Sequence, residues 1–244
     1  MSQQPFQFKK FKVHQDRCAM KIGTDGVLLG AWSSIEHEPK SILDIGAGTG
    51  VIALQLAQRS SASTIDAIEI DDQAHEQCTH NFEHSDWADR LFCYHASVQE
   101  FASEMEHKYD LIVSNPPFFK APKSIDAQTQ NTSQERAVAR FTDTLPFTHL
   151  VVCAAHLLSQ NGVFCTILPQ TEVASFIEIA AQNKLFISTI CTIRGTKTSK
   201  IKRCMLAFST RQSKPKTQEL TIEISRHNYT QEYKNLVSDF YVKM

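Results

Sequence analysis

The stretch Leu43-Asp44-Ile45-Gly46-Ala47-Gly48-Thr49-Gly50 joins a short apolar segment, 41–45, to a segment with helical periodicity, 51–59. Glycines after a strand allow a tight turn and let a ligand approach the backbone. The order differs from the dinucleotide fingerprint Gly-x-Gly-x-x-Gly, because an acid stands just before the first glycine. A negative charge there would repel a pyrophosphate but suits a cationic or zwitterionic ligand. The stretch therefore predicts a strand, a ligand-binding loop and a helix in succession.

Strands and helices alternate along the rest of the chain. Seven segments read as strands, at 41–45, 64–70, 91–95, 109–114, 163–168, 186–194 and 203–209. Helices are predicted at 51–59, 72–85, 142–159 and 172–183, with a further short strand at 221–225 and a final helix at 229–240. This alternation predicts an α/β fold with a mostly parallel seven-stranded sheet and helices on both faces. Such sheets bind ligands beyond the carboxyl ends of their central strands.

Composition sets limits on the class of protein. The chain has 244 residues, of which 42% are hydrophobic and 21% charged, as in an ordinary globular protein. We expect no membrane span, no secretory signal and a cytoplasmic location. The seven cysteines form no CxxC pair and the ten histidines no HxxxH set, so no metal site is expected. Net charge is -1, but the segment 194–216 carries eight Lys or Arg residues and no acid. Such a run fits either a solvated loop or edge-strand face or a surface that contacts phosphates.

A second acid supports a nucleoside ligand. Glu69 lies 21 residues after Gly48, at the end of the next predicted strand. A carboxylate at that position can accept hydrogen bonds from both ribose hydroxyls. Together with the glycine loop, it resembles motif I of class I S-adenosylmethionine-dependent methyltransferases. That resemblance implies a Rossmann-like fold, S-adenosyl-L-methionine as cofactor, and Asp44, Gly46 and Gly48 at its methionine end.

Asn115-Pro116-Pro117-Phe118 follows the fourth predicted strand, at the edge where a ligand is expected. It resembles motif IV of amino-methyltransferases, which methylate planar nitrogens. An exocyclic amine is a poor nucleophile, because its lone pair is delocalised into the ring. The side-chain oxygen of Asn115 and the carbonyl of Pro116 can each accept one N–H, and the fixed φ of proline aims that carbonyl. We therefore assign catalysis to Asn115, Pro116 and Phe118, with Phe118 stacking on the base.

Over most of its length the chain resembles the bacterial tRNA methyltransferases that modify the N6 amine of adenine 37 in valine tRNA. The matching stretches are 8–12, 16–32, 44–50, 114–119, 136–140 and 229–241. The resemblance implies that 21–25 lines the cofactor site and that the basic C-terminal strands face RNA. The implied cofactor-binding residues are Lys21, Thr24, Asp44, Gly46, Gly48, Glu69, Ile70, Ser97, Val98 and Asn115. The implied RNA-binding residues are Phe119, Arg136, Arg194, Lys197, Lys200, Lys202 and Arg203.

The run His95-Ala96-Ser97-Val98 departs from the class I pattern. Many class I enzymes carry an aspartate after the third strand that binds the adenine amine of the cofactor. No acid stands in this run, so we expect the side chain or backbone of Ser97 to substitute.

Three alternative functions come from other classes of protein. A protein glutamine N5-methyltransferase usually has a separate helical N-terminal domain, and only about forty residues precede Asp44 here. A guanine N2 methyltransferase of rRNA also favours Asn-Pro-Pro-Phe but is commonly longer, with a duplicated domain. A methyltransferase fold used only to bind RNA would need neither Glu69 nor Asn115.

We expect three parts in the chain. These are an N-terminal extension, 1–40, packed on the cofactor and substrate side, a methyltransferase core, 41–210, and an appended strand and helix, 211–244. We expect tRNA as a partner, and neither a membrane nor an obligate protein partner.

Overall fold

The computed structural model describes residues 4–117 and 145–243. The predicted Phe118, Phe119 and Arg136 lie outside the described residues. The described strands are β1 (Phe6–Gln7), β2 (Lys12–Val13), β3 (Ser41–Ile45), β4 (Thr64–Glu69), β5 (Leu91–His95), β6 (Tyr109–Ser114), β7 (Leu158–Pro169), β8 (Phe186–Thr196), β9 (Ile201–Ser209), β10 (Lys216–Ser225) and β11 (Asn228–Tyr229). The described α-helices are α1 (Thr24–Trp32), α2 (Val51–Arg59), α3 (Asp72–Glu83), α4 (Val98–Glu104), α5 (Phe147–Leu157), α6 (Val173–Gln182) and α7 (Gln231–Val237).

Nine of these strands form one sheet in the order β11-β10-β8-β9-β7-β6-β3-β4-β5. The pairs β3–β4, β3–β6, β4–β5, β6–β7 and β8–β10 are parallel, whereas β9 is antiparallel to both β7 and β8. The sheet contains all seven predicted strands, and β10 and β11 extend it by two. The prediction of a mostly parallel α/β sheet with helices on both faces is confirmed.

The direction in which successive strands are added to the sheet reverses between β3 and β6. From β3 the chain runs outward through β4 to β5, and it then returns to place β6 on the other side of β3. Ile45 and Ser114, the last residues of β3 and β6, are direct partners across the two strands. The glycine loop and the Asn115-Pro116 segment therefore begin side by side at the switch point, where α/β sheets bind ligands.

Two hydrophobic clusters cover the two faces of the sheet. Along β6, Leu111 and Val113 belong to one cluster, while Ile112 between them belongs to the other. Alternate residues of a strand point to opposite faces, so the clusters lie on opposite sides. Residues of α1, α2, α3 and α7 join the first cluster, and residues of α4, α5 and α6 join the second.

Several element boundaries differ from the predictions. Helix α1 begins at Thr24, before the first predicted element, and the Gly-Thr-Asp-Gly stretch at 23–26 forms its N-cap and first turn. Strand β10 begins at Lys216, five residues before the predicted 221, and α7 is shorter than the predicted 229–240. Helix α4 was not predicted at all, although Ser97 and Glu100 provide the capping-box pattern that marks a helix start.

Residues near the two ends of the described chain pack together. Phe8 is fully buried and its ring stacks on that of Tyr241, with 5.9 Å between centroids. The backbone N–H of Lys9 donates to the carbonyl of Phe240 over 2.8 Å. Phe8, Phe11 and Val13 belong to the same hydrophobic cluster as α2 and α7. The division into three parts at 40 and 210 stays a prediction.

A buried hydrogen bond spans the sheet away from the carboxyl ends of the strands. The hydroxyl of Tyr109, the first residue of β6, donates to Oδ2 of Asp66 on β4 over 2.5 Å. Oδ1 of Asp66 is buried and has no hydrogen-bond partner among the described residues. Burial raises the pKa of Asp66, and the bond from Tyr109 lowers it in part.

We expect Tyr109→Phe to reduce the free energy of unfolding by about 1–3 kcal/mol, because it leaves the Asp66 carboxylate buried without its donor. The loss should be greater at pH 8 than at pH 5. A raised carboxyl pKa costs stability where the native group must ionise, and low pH removes that cost. Urea unfolding at the two pH values measures this. Tyr94→Phe, which removes a hydroxyl from a 40% exposed tyrosine, is the control and should have little effect. Equal losses in the two variants would contradict a role for the bond.

Candidate functional site

A cavity of about 870 Å³ opens at the carboxyl ends of β3, β4, β5 and β6. Seven of the ten predicted cofactor-binding residues lie in the wall. They are Asn115 together with Gly46, Gly48, Glu69, Ile70, Ser97 and Val98. The wall also includes Pro116, which with Asn115 makes two of the three predicted catalytic residues. The structure thus brings together residues from four loops that are up to 70 positions apart in the sequence.

The glycine loop presents bare backbone to this cavity. Gly46 and Gly48 have φ angles of +72° and +56°, which side chains with a Cβ rarely adopt. A Cβ built on either residue would meet no atom within 4 Å, so the space beside them is open. Gly50 is different, because its Cβ would lie 2.6 Å from the ring of Phe82. The first two glycines therefore leave room for a ligand, and the third allows α2 to pack against α3.

Glu69 holds the loops after β3 and β4 together. One carboxylate oxygen, Oε2, accepts from the N–H of Gly48 over 2.8 Å. The other, Oε1, accepts from the N–H groups of Ile70 and Asp71 over 2.9 and 3.0 Å. A carboxylate offers about four acceptor positions, so these three bonds leave about one. Glu69 can accept one ribose hydroxyl without losing a backbone bond, whereas the sequence suggested two.

Asp44 lies beneath the glycine loop and is not part of the cavity wall. Its side chain is fully buried, Oδ2 accepts from the N–H of Ala53 over 3.2 Å, and Oδ1 has no partner among the described residues. Burial raises the pKa of Asp44 to about 7, with the bond from Ala53 acting to lower it and the charge of Glu69 acting to raise it. A cation approaching the loop would favour the charged form of this carboxyl.

Asn115 and Pro116 directly follow β6. The hydroxyl of Ser114 donates to the carbonyl of Ile45 over 2.9 Å, which fixes the end of β6 against the start of the glycine loop. A Cβ built on Gly26 of α1 would lie 3.9 Å from the side-chain nitrogen of Asn115. The first turn of α1 therefore lies beside Asn115, within ordinary van der Waals reach of its side-chain amide.

Ser97 has a different local role from the one expected. Its hydroxyl caps α4, accepting from the N–H of Glu100 over 3.2 Å and donating to Oε2 of Glu100 over 2.7 Å. The backbone N–H of Ser97 donates to the same oxygen over 3.0 Å. Both groups of Ser97 that the sequence offered to a ligand are thus engaged with Glu100. The helix also brings Glu100 into the cavity wall, so this loop does supply an acid.

Lys21 and Thr24 are not in the wall of this cavity, although the neighbouring Met20 is. Gln99 and His149 are two wall residues that sequence reasoning missed, and Nε2 of Gln99 lies 2.7 Å from Nδ1 of His149. They come from α4 and α5. Their proximity carries no signal in the sequence, because 50 positions separate them.

The predicted RNA-binding residues fall into two groups. Arg194 pairs with Glu219 at 2.6 Å, and Arg203 donates from Nε to Oδ2 of Asp25 over 2.7 Å. Lys197, Lys200 and Lys202 are exposed on the hairpin between β8 and β9. Strands β7 and β8 are both antiparallel to β9, so they run in the same direction. The carboxyl end of β8 therefore lies at the same edge of the sheet as the cavity.

Searches of the described residues give two further findings. No helix within 4–117 and 145–243 is long and apolar enough to cross a membrane. Over the same residues, no cluster of three His, Cys, Asp or Glu side chains has an arrangement that could hold a metal ion.

Solved structures share the fold of this chain. A predicted O-methyltransferase, protein Atu636 from Agrobacterium tumefaciens, aligns with a TM-score of 0.67 at 16% identity, over 88% of this chain and 96% of that one. A putative RNA methyltransferase from Pyrococcus horikoshii aligns with a TM-score of 0.50 at 20% identity, over 75% and 80% of the two chains.

Comparisons of sequence are more specific. The family model described as "Methyltransferase small domain" matches residues 23–144. A protein from Christiangramia forsetii named tRNA1(Val) (adenine(37)-N6)-methyltransferase is 56% identical over the full length of both chains. Proteins of the same name from Flavobacterium psychrophilum and Flavobacterium johnsoniae are 52% and 53% identical, each over 98% of this chain and all of its own. The chain therefore belongs to the tRNA1(Val) (adenine(37)-N6)-methyltransferase family.

Proposed function

We propose that this protein transfers the methyl group of S-adenosyl-L-methionine to the N6 amine of adenine 37 in valine tRNA. The observation that carries the proposal is the position of Asn115-Pro116 beside the open glycine loop, at the wall of one cavity. The names of the full-length relatives supply the substrate. A substrate of this kind also supports the expected cytoplasmic location.

The residues of the wall fit the proposed cofactor. The space beside Gly46 and Gly48 would take the methionine part, since a Cβ on either residue would project into it. The buried carboxyl of Asp44 beneath the loop favours positive charge, which both the ammonium and the sulfonium carry. Glu69 has about one acceptor position left for the ribose. Bound S-adenosylmethionine would supply an electrophilic methyl group.

The role of the chain in the reaction is to hold the target amine. The side-chain oxygen of Asn115 and the carbonyl of Pro116 accept the two N–H groups of adenine, which turns the lone pair of the nitrogen out of the ring plane. Catalysis then comes mostly from alignment and from exclusion of water. Phe118 stands two positions after Pro116 in the sequence, and we propose that it stacks on the flat face of the adenine. An adenine in an anticodon loop is unpaired, so turning it into a site costs less than in a duplex.

The direct test is transfer of labelled methyl from S-adenosylmethionine to tRNA that lacks the modification, followed by digestion to nucleosides. Label in N6-methyladenosine is the expected result. Label in guanosine would instead support guanine N2 methylation, and label on a protein in a cell extract would support glutamine methylation. Binding of tRNA without any transfer would support a purely RNA-binding role.

A pair of variants should separate catalysis from cofactor binding. We expect Asn115→Ala to reduce kcat by at least a hundredfold and to leave the Kd for S-adenosylhomocysteine within about threefold, because the main loss is the acceptor that aligns the target amine. Steady-state kinetics of methyl transfer gives kcat, and isothermal titration calorimetry gives the Kd. A large loss of cofactor affinity in this variant would contradict the assignment.

Glu69→Ala should show the reverse order of effects. We expect the Kd for S-adenosylhomocysteine to rise by at least tenfold, because the variant loses the ribose acceptor and releases the Gly48 amide. Glu83→Ala, a change at an exposed carboxylate near the end of α3 and outside the wall, is the control. Unchanged affinity in Glu69→Ala would remove Glu69 from the site.

The exposed lysines of the β8–β9 hairpin are proposed to contact phosphates. We expect Lys200→Ala/Lys202→Ala to weaken binding to tRNA several-fold and to reduce the slope of log K against log salt by about 1–2. Filter binding over a range of salt concentrations gives both values. Lys40→Ala/Lys184→Ala, two changes before β3 and β8 at the opposite edge of the sheet, should leave the slope unchanged. Equal slopes for the two double variants would place the RNA elsewhere.

A further inference from the structure

The order of the strands gives the cavity a direction. Asn115 follows β6, Gly46 follows β3, Glu69 ends β4, and the loop 96–100 follows β5, and these four strands are adjacent in that order. A ligand lying along the wall meets the four loops in the same sequence. The inference below rests on the proposed cofactor. If its reactive end lies by Asn115 and its ribose by Glu69, its adenine lies by the loop 96–100.

That end of the wall suits a purine. Ile70, Ala96 and Val98 provide apolar surface, and Ile70 is 57% exposed although it is a large aliphatic residue. Apolar side chains can cover the flat faces of a base, but they cannot read the hydrogen-bonding groups at its edge. Reading an exocyclic amine requires an acceptor. Among the five wall residues of this fully described loop, Glu100 alone carries a charge.

Glu100 is held ready as an acceptor. Its Oε2 receives the N–H and the hydroxyl of Ser97, which fixes the direction of the carboxylate. No described group of the protein donates to its other oxygen, Oε1. The bonds from Ser97 lower the pKa of Glu100, so the carboxylate is ionised at neutral pH. We propose that Oε1 of Glu100 accepts a hydrogen bond from the N6 amine of the cofactor adenine and thereby sets its specificity for adenine.

The other acids of the wall are less suited to this task. Asp71 caps α3, where its Oδ1 accepts from the N–H of Ala74 over 2.8 Å. The side chain of Asp72 is 77% exposed and lies 3.9 Å from Nδ1 of His95. Both residues follow β4, next to Glu69, and not β5. They therefore serve as comparison positions for Glu100.

Glu100→Gln is a sharp test, because the capping box accepts either residue at this position. The amide oxygen would take the place of Oε2 and keep the bonds from Ser97. The amide NH₂ would then take the place of Oε1 and present donors where the wild-type protein presents an acceptor. Adenine offers N–H donors at its 6-position, whereas hypoxanthine offers a carbonyl oxygen. The substitution should therefore reverse the preference between the two bases.

The measurement is isothermal titration calorimetry of S-adenosylhomocysteine and S-inosylhomocysteine with the full chain. We expect the wild-type protein to bind the adenosyl ligand at least tenfold more tightly. In Glu100→Gln the ratio of the two affinities should fall at least tenfold. The loss of one negative charge affects both ligands alike, so it cancels in the ratio. Glu100→Ala, which removes the acceptor together with the cap, should lower the ratio as well.

Asp72→Asn is the matched control and should leave the ratio unchanged. An unchanged ratio in both Glu100 variants would overturn the inference, as would a fall in the ratio with Asp72→Asn alone. Thermal unfolding of each variant shows whether a lost affinity reflects a lost fold. Failure of the proposed function has a separate signature, because the wild-type protein would then bind neither ligand.

Discussion

Three backbone N–H groups converge on the carboxylate of Glu69, and the shape of the cavity depends on them. Loops beyond the carboxyl ends of parallel strands have no neighbouring strand to receive their amides. Glu69 supplies that partner for Gly48 on one loop and for Ile70 and Asp71 on the next. The same contact sets the direction in which α3 begins, since Asp71 is its N-cap. One side chain thus fixes two loops and a helix before any ligand binds.

The other side of the cavity is fixed by side chains from distant parts of the chain. Asp25 in the first turn of α1 pairs with Arg203 of β9, and both side chains are about one-third exposed. Asp25 precedes Gly26, which faces the amide of Asn115, so this ion pair adds to the core packing of α1 beside that amide. An antiparallel strand that contributes no residue to the cavity wall thus supports an element next to the proposed catalytic amide.

Local sequence was sufficient for the central elements of the fold. The bounds of β3, α2, β5 and β6 agree with the prediction to the residue, because each is an apolar or periodic run bounded by glycine, polar or turn residues. Helix α4 was missed since its seven residues bury only three side chains, which is too short a pattern to stand out.

The residues of the site were predicted less completely than the elements of the fold. Gly46, Gly48, Glu69 and Asn115 lie at the expected cavity, because each stands at or just beyond the carboxyl end of a strand. The engagement of Ser97 by Glu100 is a local capping-box pattern that the sequence displays and the prediction overlooked. The pairing of Arg203 with an acid 178 positions away depends on a tertiary contact, which a single sequence does not display.

The packing of Phe8 and Lys9 against Tyr241 and Phe240 has a consequence for synthesis of the protein on the ribosome. At roughly 5–20 residues per second, the partners of this N-terminal segment emerge on the order of 10–50 s after it. Through that interval the ring of Phe8 lacks its partner Tyr241, so nascent chains should be clients of chaperones that bind apolar segments. The central strands can pair much earlier than this closing contact, which makes the joining of the two terminal segments a late step of folding.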